Sequence, residues 1–255
     1  MKLPRLIGMV HLEPLPGAPG FGGSMSTVLG RAITDAQALL ETGYDGIMVE
    51  NFGDAPFFAD DVPKVSIAAM ALAIAEVTSV GLPTGVNVLR NDALGALAVA
   101  AATEASFVRV NVLSGMMYTD QGPIVGQAAN IARTRQELCP GTAIIADVFV
   151  KHATPPAGLS LVDATNDLVE RAGADAVVVS GAGTGSPTDL DDLRTVAQHS
   201  HLPVYVGSGA TAETIGEILS IGDGAIVGSA TKIDGIATNP VDPERAVAIV
   251  RAASL

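Results

Sequence analysis

The 255-residue sequence has few aromatic, thiol and basic side chains. It contains no tryptophan, and aromatic residues make up only 4%, so the core must consist mainly of Ala, Val, Leu and Ile. A single cysteine, Cys139, excludes an internal disulfide and indicates a reducing, cytoplasmic compartment. The 14 basic residues stand against 27 acidic ones, a formal net charge of -13. That charge opposes binding to nucleic acid or to an anionic membrane, so any bound phosphate must be held by local groups.

No apolar run in the sequence is suited to crossing a bilayer. The two longest, residues 67–77 and 93–102, are too short and too rich in small residues, and they are typical of helices packed on a sheet. Near the start, Lys2 and Arg5 precede a short apolar run that continues into His11 and Glu13. We therefore expect a strand there rather than a signal peptide.

Apolar, β-branched runs alternate with helical stretches along the whole chain. The runs lack polar alternation, which suits strands buried on both faces, as in a parallel sheet. We count eight strand–helix pairs in the 255 residues. Open doubly wound sheets usually have fewer strands in one domain, so the pattern favours a closed (β/α)8 TIM barrel. We see no linker and predict a single domain over residues 1–255.

The seventh and eighth predicted strands each end in Gly-Ser. Glycine lets backbone N–H groups approach a ligand, and many (β/α)8 barrels hold a phosphate in the loops after these two strands. The alternative is that the glycines only make tight turns. The predicted phosphate-binding residues are Gly207, Ser208, Gly209, Gly228, Ser229 and Lys232.

Polar side chains follow most predicted strands, and in a barrel those strand ends meet at one mouth. The candidate catalytic residues are Glu50, Asp147, Lys151 and His11. The two carboxylates suit proton transfer, or binding of a divalent cation such as Mg²⁺. Lys151 suits a phosphate counter-charge or, if desolvated, a Schiff-base amine, and His11 suits a proton relay. A structural alternative for Glu50 is a salt bridge across the mouth to Arg90.

Other strand-end residues suit orientation of substrate hydroxyls or stabilisation of negative charge. These candidate substrate-binding residues are Asn51, Asn87, Arg90, Asn111, His152 and Ser180. Residues 11–23 are dense in proline and glycine, and they predict a partly mobile lid over the mouth. Residues 181–185 resemble a dinucleotide fingerprint only loosely, without the following helix, and we discount them.

Several of these segments together resemble the BtpA family. The resemblance rests on residues 7–17, 45–57, 85–92, 109–111, 119–122, 147–152, 206–209, 228–235 and 239–243, which include the stretch Val49-Glu50-Asn51-Phe52-Gly53. It implies a barrel of the ribulose-phosphate-binding group, in agreement with the phosphate interpretation. The family takes its name from a role in the biogenesis of photosystem I, and it brings no settled set of catalytic residues.

Two functions remain open from the sequence. The first is an enzyme acting on a small phosphorylated metabolite, a sugar- or nucleoside-derived phosphate, by isomerase, lyase or C–N cleavage chemistry. The second is a non-catalytic assembly factor for membrane protein complexes such as photosystem I, which requires an exposed apolar patch or a basic face. The polar mouth favours the enzyme. The substrate, the metal requirement and the oligomeric state, a homo-oligomer included, stay open.

Overall fold

The computed structural model describes residues 2–181, 183 and 188–254. Its strands are β1 (Leu6–His11), β2 (Gly46–Glu50), β3 (Thr84–Asn87), β4 (Phe107–Val110), β5 (Met116–Thr119), β6 (Gly122–Val125), β7 (Ala143–Asp147), β8 (Ala153–Thr154), β9 (Ala176–Val179), β10 (Val204–Val206) and β11 (Gly224–Val227). Eight of them form a closed parallel barrel in the order β1-β11-β10-β9-β7-β4-β3-β2. The predicted (β/α)8 barrel is therefore confirmed, and β10 and β11 are neighbours as expected.

Helices alternate with the barrel strands on the outside. They are α1 (Met25–Thr42), α2 (Lys64–Thr78), α3 (Ala93–Thr103), α4 (Ala128–Leu138), α5 (Leu161–Asp167), α6 (Leu190–His199), α7 (Ile215–Ile221) and α8 (Pro243–Ala253). Local sequence sets several helix ends. Ser24 and Asp92 accept backbone hydrogen bonds at the starts of α1 and α3, and α1 ends at Gly43 with φ 93°. Among the described residues, no helix is both long enough and apolar enough to cross a membrane.

Large side chains fill the barrel interior toward the amino ends of the strands. Phe107 and Tyr205 are almost fully buried there, together with Ile7, Met48 and Ile226. A Cβ atom on Gly85 would lie 2.1 Å from the Phe107 ring, and one on Gly224 would lie 2.3 Å from the Tyr205 ring. These glycines therefore make room for the rings. These rings pack the amino-terminal half of the barrel interior, whereas polar side chains lie at the carboxyl ends of the strands.

The alternation is interrupted by a small antiparallel sheet that the sequence interpretation missed. Strands β5 and β6 form a hairpin, and β8 adds to it in the order β6-β5-β8. The hairpin lies between β4 and α4, where only a loop was expected. Its apolar side packs with Val112 and Val150. The sheet thus joins the loop after β4 to the loop after β7, which carries Lys151.

Candidate active site

Three polar side chains form a row across neighbouring strands at the carboxyl end of the barrel. His11 on β1 is in register with Glu50 on β2, and Glu50 is in register with Asn87 on β3. All three are buried. Residues in register on adjacent strands point to the same face of a sheet, so the three side chains enter the barrel at one level. We call this set the acceptor row.

His11 is a neutral hydrogen-bond acceptor toward the barrel. Its Nδ1 lies 2.8 Å from the carbonyl oxygen of Ala237, which can only accept, so Nδ1 carries the proton and Nε2 does not. Burial, followed by the charge of Lys232, lowers the pKa of His11 to about 3. Nε2 and Glu50 Oε1 are 3.9 Å apart, too far for a hydrogen bond. A donor group between them would satisfy both.

Asn87 adds a third acceptor. Its Nδ2 donates to the Arg109 carbonyl at 3.2 Å and to Asn111 Oδ1 at 3.1 Å. Its Oδ1 is buried and has no hydrogen-bond partner among the described residues. An unpaired buried acceptor costs about 1–3 kcal/mol, so Oδ1 is expected to meet a ligand or a water. The acceptor row is therefore suited to hydroxyl or N–H groups of a ligand.

Asp147, a candidate proton carrier, is instead saturated with hydrogen-bond donors. Arg109 binds it in two places, Nε to Oδ2 at 2.9 Å and Nη2 to Oδ1 at 2.7 Å. Asn111 Nδ2 donates to Oδ2 at 3.1 Å, and the Ser180 hydroxyl donates to Oδ1 at 3.0 Å. A carboxylate with four donors is poorly placed to exchange a proton. This geometry favours Asp147 as the residue that positions Arg109, Asn111 and Ser180.

Arg109 is a site residue that sequence reasoning missed. Burial is the largest influence on the pKa of Arg109 and acts to lower it, but the charge and hydrogen bonds of Asp147 and the charge of Glu50 together outweigh burial. The pKa is therefore raised, and the guanidinium stays charged. The available signal was a basic residue inside the apolar strand Phe107-Val108-Arg109-Val110, two positions before Asn111. Period-two spacing places both side chains inside the barrel.

The glycines after β10 and β11 leave room for neighbouring side chains. A Cβ on Gly207 would lie 2.5 Å from Val178 Cγ1 and 2.9 Å from Arg109 Nη2. A Cβ on Gly228 would lie 3.2 Å from His11 Cε1. Ser208 Oγ accepts a hydrogen bond from the Gly181 N–H at 2.8 Å and so braces the loop after β9. These residues shape the mouth whether or not they contact a phosphate.

A cavity of about 650 Å³ opens between the loops after β10 and β11, and we call it the mouth cavity. Residues 207–213 and 228–230 form much of its wall, which includes Gly209 and Ser229. His11 and Arg109 line its inner part, and Arg245 of α8 contributes from outside. Arg245 was also missed, and its Nε donates to the Ala230 carbonyl at 3.0 Å. The predicted phosphate loops thus face a cavity with two arginines.

Lys232, which the sequence predicts as a phosphate ligand, is not among the described residues that line this cavity. It is fully buried, and its Nζ donates to Asp35 Oδ2 on α1 at 2.9 Å. Asp35 Oδ1 accepts the Val241 N–H at 2.8 Å. Lys232 therefore ties the loop after β11 to α1. Sequence spacing alone does not show which way a lysine side chain beside a glycine loop turns.

Arg90 and Lys151 bring further positive charge to the mouth. Arg90 Nη2 donates to the Lys151 carbonyl. Burial lowers the pKa of Lys151, while the charges of Glu50 and Asp147 oppose this shift. Burial likewise lowers the pKa of Arg90, opposed by the same two carboxylates. Among the described residues there is no direct Glu50–Arg90 ion pair, so the structural alternative for Glu50 is not supported.

Positively charged side chains surround Glu50 and Asp147, the suggested metal ligands. Within the described residues, no group of three or more His, Cys, Asp or Glu side chains is placed to hold a metal ion. Of these two carboxylates, Asp147 already forms an ion pair with Arg109. The local positive charge favours an anionic ligand over a divalent cation at this position.

Two candidate substrate-binding residues lie away from the acceptor row. Asn51 Oδ1 accepts the Leu89 N–H at 2.7 Å, so this side chain braces the loop after β3. His152 is exposed, with φ 56°, next to β8. The structure therefore does not bring either side chain to the centre of the mouth with Asn87, Asn111 and Ser180.

The first half of the predicted lid is hydrogen-bonded to the turn after β2. Leu15 is fully buried and its N–H donates to Asp54 Oδ1 at 2.8 Å. The Gly53 N–H donates to the Leu12 carbonyl at 3.0 Å. The mobility of residues 11–23 stays a prediction. The glycine-rich stretch 181–185 falls largely outside the described residues.

Solved structures share the fold at low sequence identity. The chain matches thiamine phosphate pyrophosphorylase from Pyrococcus furiosus with a TM-score of 0.62 at 15% identity, covering 98% of this chain and 95% of the other. It matches N-(5'-phosphoribosyl)anthranilate isomerase from the same organism with a TM-score of 0.59 at 16% identity, covering 98% of each chain. Identities this low show the fold alone.

Sequence comparisons are much closer and cover nearly the whole chain. An uncharacterized protein of Thermococcus kodakarensis is 48% identical over 250 residues, 97% of this chain and 94% of the relative. The photosystem I biogenesis protein BtpA of Synechocystis sp. is 45% identical over 249 residues, 97% of this chain and 87% of the relative. The model of the BtpA family matches residues 2–255. The chain therefore belongs to the BtpA family.

Proposed function

We propose that this protein is an enzyme acting on a small phosphorylated metabolite that carries hydroxyl groups, such as a sugar- or nucleoside-derived phosphate. The observation that carries the proposal is the acceptor row of His11, Glu50 and Asn87. It presents three acceptors side by side, and Asn87 Oδ1 is unpaired among the described residues. Buried acceptors without donors are costly in a purely structural barrel. Substrate hydroxyls would supply the donors.

The mouth cavity is the proposed phosphate site. The backbone of residues 207–211 and 228–230 offers glycine-containing loops, and Arg109 and Arg245 offer positive charge. Both matter because the net charge of -13 opposes an anion at long range. The two structural neighbours above are named for phosphorylated compounds, and this analogy favours the same class of ligand.

Glu50 is the proposed proton carrier for isomerase, lyase or C–N cleavage chemistry. It lies beside neutral His11, whose Nε2 can accept a hydrogen bond from the substrate. Lys151 and Arg90 add positive charge near Glu50 and would stabilise negative charge that develops on the substrate. Asp147 acts through Arg109 as a positioning residue. This division of roles replaces the expectation of two proton-carrying carboxylates.

Assembly of a membrane protein complex is the second candidate. It is favoured by the name of the Synechocystis relative and by exposed apolar side chains on neighbouring helices, Val65 and Leu72 on α2 and Leu94 on α3. An assembly factor would use this outer surface and would not need the acceptor row. The two functions are compatible in one molecule.

The test combines a substrate screen with one matched pair of variants. Phosphorylated sugars and nucleosides are incubated with the protein, and ³¹P NMR or mass spectrometry detects conversion. Glu50→Gln should lower turnover by about 10²–10⁴-fold. Glu41→Gln, an exposed change on α1, should leave it intact. Near-normal turnover in Glu50→Gln would contradict the assigned role, and a wild type that neither binds nor converts any compound would favour the assembly function.

A further inference from the structure

A second cavity lies on the other side of His11. Its volume is about 560 Å³, and we call it the side cavity. Its walls come from the first loop, from the start of α1 and from the turn after β2. Leu12, Pro14, Val28 and Phe52 give it apolar walls, and Thr27 stands at its α1 side. Cavities of this size are typical of small-molecule sites.

The His11 ring separates the side cavity from the mouth cavity. It lines both, stacking on Phe52 with ring centroids 4.6 Å apart and interplanar angle 29°. Phe52 lines the side cavity, whereas Gly228, next to His11 Cε1, lines the mouth cavity. Among the described residues, His11 alone lines both cavities, and its Nε2 lies 3.9 Å from Glu50 Oε1.

The two cavities differ in charge and in polarity. The mouth cavity has two arginines and glycine-rich backbone. No lysine or arginine is among the described residues that line the side cavity, and Glu13 would repel an anion there. An aromatic wall favours a flat ring through stacking, and apolar walls favour an uncharged one.

The geometry points to a two-part substrate: we propose that the side cavity holds a planar, uncharged ring attached to the same compound whose phosphate occupies the mouth cavity. This inference rests on the proposed function and narrows the substrate class to phosphorylated, hydroxyl-bearing compounds with a planar ring. The reacting centre would then lie between the two ends, beside His11 and Glu50. A simple sugar phosphate would leave the side cavity empty.

The test uses indole as the ring probe and inorganic phosphate as the anion probe. Saturation-transfer NMR detects indole binding, and calorimetry measures phosphate affinity with and without indole. Thr27→Trp places a large side chain in the side cavity, and Thr34→Trp, exposed on the same helix, is the matched control. We expect wild type and Thr34→Trp to bind both probes at once. Thr27→Trp should lose indole binding and keep its phosphate affinity.

The outcomes separate this inference from the proposed function. If indole does not bind the wild type, competes with phosphate, or still binds Thr27→Trp, the two-part substrate is overturned, while phosphate binding can persist. A different result is that the wild type binds indole but not phosphate, and that Thr27→Trp loses indole binding. The side cavity would then still be a ring site, and the phosphate proposal would fail. Unfolding of Thr27→Trp is checked by circular dichroism. In that case Thr27→Phe replaces it, and retained indole binding would again overturn the inference.

Discussion

Replacing Asp147 by Asn tests the central ion pair of the barrel. Asp147 accepts two hydrogen bonds from Arg109, one from Asn111 and one from Ser180. An asparagine keeps only one acceptor oxygen, and its amide N–H₂ would face donors. The Arg109 guanidinium, which is 2% exposed, would lose its counter-charge without gaining water. We therefore expect a loss of stability as well as of function.

The expected magnitude follows from the burial of both partners. Breaking a buried pair by removing one member costs about 3–5 kcal/mol, because an uncompensated charge stays behind. Whole domains are stable by only about 5–15 kcal/mol, so Asp147→Asn should unfold at much lower urea concentration than the wild type. The exposed pair Arg194–Asp191, at 2.8 Å, provides the control. Asp191→Asn should cost at most about 1 kcal/mol.

Urea titrations followed by circular dichroism measure these differences, and a double variant completes the design. Arg109→Met with Asp147→Leu removes both charges, so it should be more stable than Asp147→Asn alone. A cost below about 1 kcal/mol for Asp147→Asn, or a double variant no more stable than the single, would refute the reasoning.

Three further predictions address the glycine loops, the buried lysine and the neutral histidine. Gly207→Val should destabilise the fold by about 1–3 kcal/mol through overpacking, and Gly228→Ala by less, in urea titrations; equal effects would contradict this. Lys232→Met should lower stability by about 1.5–3 kcal/mol, because buried Asp35 loses the lysine hydrogen bond and keeps only Arg31 and the Val241 N–H, yet it should leave phosphate affinity unchanged in calorimetry. The pKa of His11 is about 3 when folded and roughly 6.5 when unfolded, so only the unfolded chain gains a proton between these values. As the pH falls from about 6.5 to about 3, protonation of this group in the unfolded chain should lower the free energy of unfolding by roughly 1.4 kcal/mol per pH unit. The same pH dependence of stability in His11→Asn would argue against this assignment.

The alternation of apolar runs and helices predicted the barrel because every strand of a (β/α)8 fold is buried on both faces. The hairpin β5–β6 escaped prediction because it is short and half exposed, with Tyr118 on its outer side, so its composition does not differ from that of a loop. Its position over the mouth depends on pairing with β8, which lies more than thirty residues farther along the chain.

Strand periodicity was sufficient to locate the mouth. His11, Glu50, Asn87 and Asp147 all end barrel strands, so the parallel order alone brought them to one end of the barrel. Their chemical roles depend on partners far away in sequence. Asp147 is occupied by Arg109, 38 residues earlier, and such a contact leaves no mark in local spacing.

The sequence by itself determined the closed barrel, the end at which polar groups gather and the absence of an internal disulfide, because these depend on periodicity, strand ends and composition. Only the tertiary structure decided which side chains face one another. Lys232 turns to Asp35 on α1 instead of the mouth, and Arg109 enters the barrel where Gly207 leaves space. Direction and pairing come from contacts between distant segments, where burial makes an unpaired charge costly and so selects one arrangement.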